Sequence, residues 1–250
     1  MLPVHHVAPT YTPVLDRVTL ASLERVSARL LFPDAPTAAD VIVFAGRAAR
    51  LGDGAVRLQG QRGTLALTAA PLAPQTLLDT TPTVLGMRAV RVDPELECDL
   101  AVDAASLAVD DADPLAVVLP GTAVSAPWTG ISPPRAGWAD VGELPASLLA
   151  QRAQWGIAAV AEAVPDAPGE DVVRAVRAEI WGSADDALDG LPLGVAFAAF
   201  ALGFIGGDEQ AAVRTAGPWM RVSLSRGHVL SRSTTRAGLT PVRTTGTARP

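Results

Sequence analysis

The 250-residue sequence contains no lysine and no asparagine, and only one cysteine, one tyrosine and three histidines. Without lysine, its side chains cannot form a Schiff base, supply the lysine of a phosphate-binding P-loop or build a Ser-x-x-Lys nucleophile. The absence therefore excludes three classes of catalytic chemistry. All 20 basic residues are arginine, and this usage, together with abundant Ala, Val, Gly and Pro, indicates the GC-rich genome of a bacterium.

The sequence also lacks the spacings that specify metal sites and catalytic nucleophiles. Cys98 stands between two acidic residues, whose charges disfavour a thiolate. His5, His6 and His228 form no His-x-x-x-His or His-Glu-x-x-His pattern, and no Gly-x-Ser-x-Gly occurs. We therefore expect no metal, no cofactor and no catalytic residue, and an enzyme is disfavoured.

An uncharged segment of 18 residues, Gly190–Gly207, tests whether the chain crosses a membrane. Its dense apolar part is shorter than the roughly 20 residues that a bilayer requires. The segment therefore predicts a buried helix from about Pro192 to Ile205 and no membrane span. The first ten residues lack the basic start and apolar core of a signal peptide, so we expect a cytoplasmic location.

Helical spacing dominates the beginning of the chain. Apolar residues recur every three or four positions from Leu20 to Leu30, behind Thr19 as a possible cap. A second helix is predicted from Thr37, because Thr37 and Asp40 fit the Thr-x-x-Asp form of a capping box. The β-branched run that follows makes a strand the competing assignment.

Short alternating runs replace this spacing in the middle of the chain, and those flanking Gly60–Gly63 predict a hairpin. Helical spacing then returns, and the last hairpin is predicted to turn near Arg226 and Gly227. The sequence thus predicts an α+β fold with N-terminal helices, a β-rich middle, a three-helix C-terminal region closed by a β-hairpin, and a disordered tail. The predicted units are an α+β unit at 1–125, an ordered Trp/Pro-rich connection at 126–142, a helical unit with the hairpin at 143–232, and a flexible basic tail at 233–250.

The Trp/Pro-rich connection offers the first group of candidate binding residues. Its prolines favour stiff, extended backbone, which Trp128 and Trp138 can anchor by burying their indole rings. Alternatively, the connection forms one wall of a ligand pocket in which Arg135 holds an anion. A third interpretation offers Pro133 and Pro134 to an aromatic groove of a partner.

Charge is distributed unevenly along the chain. No acidic residue follows Glu209, whereas seven arginines do, and the stretch Asp93–Asp113 holds eight acidic residues and no basic one. Asp110, Asp111 and Asp113 lie together in this stretch and are interpreted as a solvated acidic turn. The candidate anion-binding residues at the basic end are Arg214, Trp219, Arg221, Arg226, His228 and Arg232.

Three interpretations of this asymmetry remain open. In the first, the arginines neutralise the protein's own acidic stretch, within one molecule or between copies. In the second, they dock on an acidic protein partner or an anionic assembly. In the third, they bind nucleic acid weakly, with Trp219 stacking on a base. The net charge of −6 disfavours nucleic acid. The sequence therefore predicts a non-catalytic binding or scaffolding protein whose basic end docks an acidic partner or a second copy. The alternative is an enzyme or small-molecule receptor with a pocket between Trp128 and Trp138.

Overall fold

A computed structural model describes residues 28–76 and 78–232 of the chain. The helices are α1 (Ala35–Ala48), α2 (Ala146–Ala163), α3 (Glu170–Gly182) and α4 (Gly194–Ala201). The strands are β1 (Arg29–Leu31), β2 (Ala55–Gln61), β3 (Thr64–Leu72), β4 (Thr83–Arg91), β5 (Cys98–Asp103), β6 (Ala108–Val109), β7 (Ala116–Val118), β8 (Ala139–Pro145), β9 (Ala184–Asp185), β10 (Leu191–Pro192), β11 (Gln210–Ala216), β12 (Trp219–Leu224) and β13 (Gly227–Arg232). This mixture confirms the predicted α+β class.

One eight-stranded antiparallel sheet dominates the fold, in the order β5-β2-β3-β4-β13-β12-β11-β8. Strands β4 and β13 pair at its centre, so strands from both sides of the Trp/Pro-rich connection belong to one sheet. Two small sheets, β1-β7-β6 and β10-β9, complete the strand pairing of the described residues. The predicted division of the chain at 126–142 stays a prediction.

The two faces of the large sheet carry different clusters. Alternation along the strands sends Val213, Val222 and Val229 into the main core, which the helices cover. Phe44 of α1 stacks there on Phe204, with ring centroids 6.2 Å apart. The opposite face of the sheet carries a smaller apolar cluster, to which none of the four α-helices contributes a residue.

The structure contains both hairpins that the sequence predicts. Arg62 and Gly63 join β2 to β3 with φ angles of 52° and 74°, as a two-residue turn with both central residues left-handed requires. Ser225 and Arg226 join β12 to β13. Both predicted hairpins are confirmed.

The N-terminal helix predictions need correction. The cap of α1 is Asp34, whose carboxylate accepts a hydrogen bond from the Thr37 backbone N–H at 2.7 Å, so the assignment of Thr37 as the cap is wrong. The competing strand assignment is also wrong. Leu30 lies in β1, paired with Val117, and not in a helix; the remainder of the first predicted helix lies outside the described residues.

The three predicted C-terminal helices are present, with two differences. The uncharged helix is α4 and spans Gly194–Ala201, shorter than predicted, because Gly203 takes a φ of 71° beyond its end and Pro192 lies in β10. The predicted hairpin is joined by β11 and β8, which the sequence analysis did not predict. No helix among residues 28–76 and 78–232 is long and apolar enough to span a membrane. Residues 233–250 lie outside the described part.

Candidate anion-docking site

The Trp/Pro-rich connection lies on the face of the large sheet that carries the smaller apolar cluster, where Trp128, in a short 3-10 helix at Pro127–Gly130, anchors it. The Trp128 side chain is only 4% exposed and packs with Trp219 and Leu230 in the smaller cluster. Its indole Nε1 donates a hydrogen bond to Asp53 Oδ2 at 2.9 Å. The indole therefore combines apolar burial with a satisfied polar group.

Arg57 of β2 holds the same connection from the sheet side. Its guanidinium binds Asp99 through Nε and Nη2, at 2.8 and 2.9 Å, and Nη1 donates to the Thr129 carbonyl at 2.7 Å. Sequence reasoning missed this residue, because its role depends on the register that brings β2 beside β5. No local sequence signal specifies that register.

Trp138, at the other end of the connection, stacks on an arginine. The guanidinium carbon of Arg221 lies 4.5 Å from the centroid of the Trp138 ring, and Trp138 Nε1 donates to the Pro134 carbonyl at 3.0 Å. Arg221 Nε is buried and has no hydrogen-bond partner in the described part of the chain. Arg221 is therefore a cation of fixed position with an unfilled donor.

Arg214 of β11 lies directly opposite Arg221 in the strand register. Like charges opposite each other in a sheet repel, and burial together with Arg214 lowers the pKa of Arg221. Arg214 is 39% exposed and forms a long ion pair of 3.6 Å with Asp140. The arginine pair is thus only partly neutralised by the residues around it.

His228 and Ser223 face each other next to the arginine pair. His228 Nδ1 and Ser223 Oγ lie 3.0 Å apart, within hydrogen-bond distance. Burial, followed by the charges of Arg221 and Arg214, lowers the pKa of His228, so the imidazole is neutral at pH 7. We call the group of Arg214, Arg221, Ser223, His228 and Trp138 the anion-docking site.

The other basic-end candidates lie elsewhere. Trp219 is buried beside Trp128, which leaves no ring face for a nucleotide base. Arg226 lies in the turn between β12 and β13. The backbone hydrogen bond from Ser225 is the main cause that lowers the pKa of Glu209, and the charge of Arg226 lowers it further. Arg232 ends β13, opposite Thr83. Only Arg214, Arg221 and His228 of the predicted set are therefore brought together.

The remaining candidates in the connection take different positions. Pro134 supplies the carbonyl that binds Trp138. Pro133 lies beside it, and Arg135 is exposed. One surface cavity, of about 290 Å³, is lined by residues within 80–82 and 178–183. A second, of about 320 Å³, is lined by residues within 152–155 and 183–193. Neither of these cavities involves the connection, and the pocket predicted between Trp128 and Trp138 stays a prediction.

The surroundings of Cys98 disfavour a thiolate, and its neighbours give it no activating positive charge. Cys98 is half-buried in β5, and burial, reinforced by the charge of Asp99, raises the pKa of its thiol, although a hydrogen bond from the Gly60 backbone acts in the opposite direction. No group of three or more His, Cys, Asp and Glu side chains in the described ranges is placed to hold a metal ion. His5 and His6 lie outside those ranges.

No curated protein matches the sequence. Among solved structures, the chain is similar to the DNA polymerase III subunit beta sliding clamp from Bartonella birtlesii bound to griselimycin, at 14% identity and a TM-score of 0.47. That alignment covers 83% of this chain and 65% of the clamp chain, so this chain spans less than two thirds of its length. Caulobacter crescentus pol III beta has 9% identity and a TM-score of 0.45, and the alignment covers 84% of this chain and 67% of that chain. A DNA polymerase sliding clamp from the same organism has 12% identity and a TM-score of 0.43, and the alignment covers 90% of this chain and 70% of the clamp chain.

Likenesses at these scores say nothing about what the chain binds. Two family models match the sequence more directly, and both are described as domains of unknown function. The chain is thus similar to DUF8010 over residues 26–130 and to DUF8185 over residues 133–236.

Proposed function

We propose that this is a non-catalytic cytoplasmic binding or scaffolding protein, which docks an acidic segment of a protein partner on the anion-docking site. The observation that carries the proposal is the state of Arg221. Its guanidinium is stacked on Trp138, its buried Nε has no partner in the described chain, and a second arginine stands opposite. The proposal assigns the last hairpin, β12–β13, as the docking element.

A bound carboxylate would relieve the two unfavourable features of this arrangement. It would accept hydrogen bonds from the Arg221 guanidinium, and its charge would offset the repulsion between Arg221 and Arg214. The Trp138 ring already holds the guanidinium in one plane, so less side-chain entropy is lost on binding than for a free arginine. These features favour a planar, anionic ligand group.

The surroundings favour a protein partner over nucleic acid. Asp140 and Glu143 are exposed on the edge strand β8, beside the anion-docking site, and would repel an extended polyanion. The chain as a whole carries a net charge of −6. A short acidic protein segment can approach the arginines between these carboxylates, whereas a continuous phosphate backbone meets them along its length.

The test is a fluorescence anisotropy titration of a labelled hexaglutamate peptide with the protein. Arg221→Gln removes the stacked charge and keeps polar bulk, so we expect a tenfold or larger loss of affinity, about 1.5–3 kcal/mol for a charge-assisted hydrogen bond. Arg177→Gln is the matched control, because Arg177 is an exposed arginine of α3. It should bind as the unchanged protein does.

Equal affinity of the Arg221→Gln and Arg177→Gln variants, at matched thermal stability, would contradict the proposal. A second arm replaces the peptide with a labelled single-stranded oligonucleotide. Tighter, Arg221-dependent binding of the oligonucleotide than of hexaglutamate would replace the acidic partner with nucleic acid.

A further inference from the structure

His228 brings one bound and one open ring nitrogen to the anion-docking site. Its Nδ1 lies 3.0 Å from Ser223 Oγ, across the β12–β13 pair. Its Nε2 has no hydrogen-bond partner among residues 28–76 and 78–232. Arg221 Nε is the buried side-chain atom without a partner in that part of the chain, so Nε2 is open to solvent. In a protonated ring both nitrogens donate, and Nε2 becomes a charged donor beside the arginines.

The strand register places the imidazole on the same face as both arginines. Arg221 and Ser223 stand two residues apart on β12, so their side chains share a face. His228 is opposite Ser223, and Arg214 is opposite Arg221. His228 and Arg221 are thus diagonal neighbours, a relation that places side chains about 7–8 Å apart. An extended acidic segment repeats its side chains on one side about every 7 Å, so two of its carboxylates can reach Arg221 and His228 together.

The charges that act on His228 in the free protein are positive. Burial, and then Arg221 and Arg214, lower the pKa of the imidazole, and no carboxylate contributes to that shift. Its neighbour on β4, Met87, is uncharged. The free site therefore keeps the imidazole neutral partly through the repulsion of its own arginines.

The carboxylates around the last hairpin do not offset this repulsion. Glu143 of β8 lies three strand spacings from His228 by register, roughly 14 Å, which is well beyond ion-pair distance. Asp140 of the same strand already forms the 3.6 Å ion pair described above. Glu209 accepts hydrogen bonds from the Ser225 backbone N–H at 2.9 Å and from Ser225 Oγ at 3.1 Å. The negative charge that would hold a proton on His228 must therefore come from a ligand.

A docked acidic segment reverses the electrostatic balance at His228. A carboxylate on the Arg221 guanidinium acts on the imidazole from nearly the same place as the arginine charge, but with the opposite sign. A second carboxylate, one repeat along the segment, accepts from Nε2. Both favour the protonated ring, so the pKa of His228 is higher in the complex than in the free protein. By linkage, the proton then strengthens the docking as much as the docking strengthens the binding of the proton.

We propose that docking of an acidic segment is coupled to the uptake of one proton by His228, so that the anion-docking site binds its partner more tightly as the pH falls below 7. This inference rests on the proposed function and names the regulation of the same site. The affinity rises as the pH falls through the pKa of His228 in the complex, and it levels off below the pKa in the free protein. Between those two values, one proton gives at most about a tenfold change per pH unit.

Hexaglutamate titrations of the full chain at pH 7.5 and pH 6.0, followed by fluorescence anisotropy, test the coupling. Glutamate titrates near pH 4.3, so the peptide stays almost fully ionised at both values. We expect the dissociation constant to be about threefold lower at pH 6.0, as a pKa near the ordinary 6.5 in the complex requires. Thermal melting at both pH values verifies that the fold is retained.

Two variants separate His228 from the other groups that titrate in this range. His228→Gln keeps a polar side chain that does not titrate, and the ratio of its dissociation constants at the two pH values should be close to one. The double variant His5→Gln, His6→Gln removes the other two histidines of the chain. It should keep the threefold ratio of the unchanged protein.

The double variant also makes the protonation of His228 directly visible. Because His228 is its one remaining histidine, the pH titration of the imidazole C2–H signal by NMR gives the pKa of this residue alone. We expect that pKa to rise when hexaglutamate is added to saturation. The titration without peptide supplies the reference value.

The same pH ratio in the unchanged protein and in His228→Gln, or a histidine pKa that stays constant when the peptide is added, would overturn the proposal. The Arg221→Gln variant at pH 7.5 then locates the failure. If it still loses affinity for hexaglutamate, the proposed function stands and docking occurs without proton uptake. If it binds as the unchanged protein does, the proposed function fails as well.

Discussion

Trp128 and Trp138 belong to the same connection but have different structural roles. Trp128 is buried, with its Nε1 bonded to Asp53, and it fills the cluster between the connection and the sheet. Trp138 is half-buried. Its Nε1 donates a hydrogen bond to the Pro134 carbonyl within the connection, and one face of its ring stacks on Arg221. Substitutions at the two positions should therefore separate fold stability from binding.

Trp128→Ala should lower the free energy of unfolding by about 3–5 kcal/mol, because it leaves a large cavity, and it also leaves the Asp53 carboxylate without its indole donor. Trp138→Ala should cost less than about 2 kcal/mol and should weaken hexaglutamate binding, since Arg221 loses its support. Urea unfolding and the anisotropy titration measure the two effects. A larger loss of stability from Trp138→Ala than from Trp128→Ala would refute this division.

His228 gives a pH dependence with a definite sign. Burial and the two neighbouring arginines lower its pKa in the folded state from the usual 6.5, so the unfolded chain binds more protons in the window between the lowered value and 6.5. The stability that follows from the neutral imidazole is fully present above pH 6.5 and is lost as the pH falls through the folded-state pKa. We expect His228→Gln to flatten the decline of unfolding free energy between pH 7 and 5. An unchanged slope, measured by urea unfolding, would contradict the assignment.

Helix α2 shows how packing overrides local propensity at the scale of an element. A Cβ added to Gly156 would collide with the ring of Trp181 and the side chain of Leu193, whereas a Cβ on Gly46 of α1 would meet nothing within 4 Å. Both glycines lie within helices, where alanine is intrinsically favoured. The local preference and the packing therefore agree at Gly46 and oppose each other at Gly156.

The same substitution should have opposite effects at the two sites. Gly46→Ala should stabilise the protein by about 0.5–1 kcal/mol through lower chain entropy in the unfolded state. Gly156→Ala should destabilise it by about 1–3 kcal/mol through overpacking against Trp181. Thermal and urea unfolding of the two variants side by side provide the measurement, and stabilisation by both would show that α2 has room to move away from Trp181.

The elements that the sequence analysis predicted correctly are those with local signals. Arg62 and Gly63 fix the β2–β3 hairpin through turn chemistry, and the residues of α2 repeat at helical intervals. Strand β8 was missed because five of its seven residues are exposed and show no alternation; it exists because β11 pairs with it. Its pairing also contains a bulge, which no local pattern specifies.

The candidate site was only partly predictable for the same reason. Arg214, Arg221 and His228 emerged from the charge asymmetry of the sequence, and Trp138 emerged from the composition of the connection. The contact between Trp138 and Arg221 joins residues from two separate segments across the face of the sheet. Such a contact depends on strand order and register, and a single sequence contains no signal for either.

At the scale of the whole molecule, the asymmetry of charge along the chain becomes a separation of charge across one sheet. The acidic stretch runs through β5 at one edge of the large sheet, whereas Arg214, Arg221 and His228 lie on β11, β12 and β13 toward the other edge. Arg29 and Arg57 neutralise part of the acidic stretch locally. Neither of these two arginines comes from the basic end, where Arg214 forms its ion pair with Asp140 instead.

Shortening the chain to residues 1–232 separates contact from long-range attraction. The truncation removes Arg236, Arg243 and Arg249 and takes the net charge from −6 to −9, while Arg214 and Arg221 remain. Exposed charges act over about 10 Å at 0.1 M salt and over about 30 Å at 0.01 M. We therefore expect the truncated protein to bind hexaglutamate more weakly than the full chain at low salt and nearly as tightly at physiological salt, where the stacked Arg221 dominates.

Anisotropy titrations at the two salt concentrations measure this difference, and Arg221→Gln in the truncated chain completes the comparison. If the truncated chain binds as tightly as the full chain at low salt, the last arginines contribute nothing to docking. If truncation abolishes binding at physiological salt while Arg221→Gln in the full chain has no effect, the contact lies in the last 18 residues and the anion-docking site is wrongly placed. Stacking by Trp138 holds Arg221 in place at every salt concentration. We therefore expect two contributions to the affinity for hexaglutamate: one from the removed arginines, which depends strongly on salt, and one from Arg221, which depends on it less.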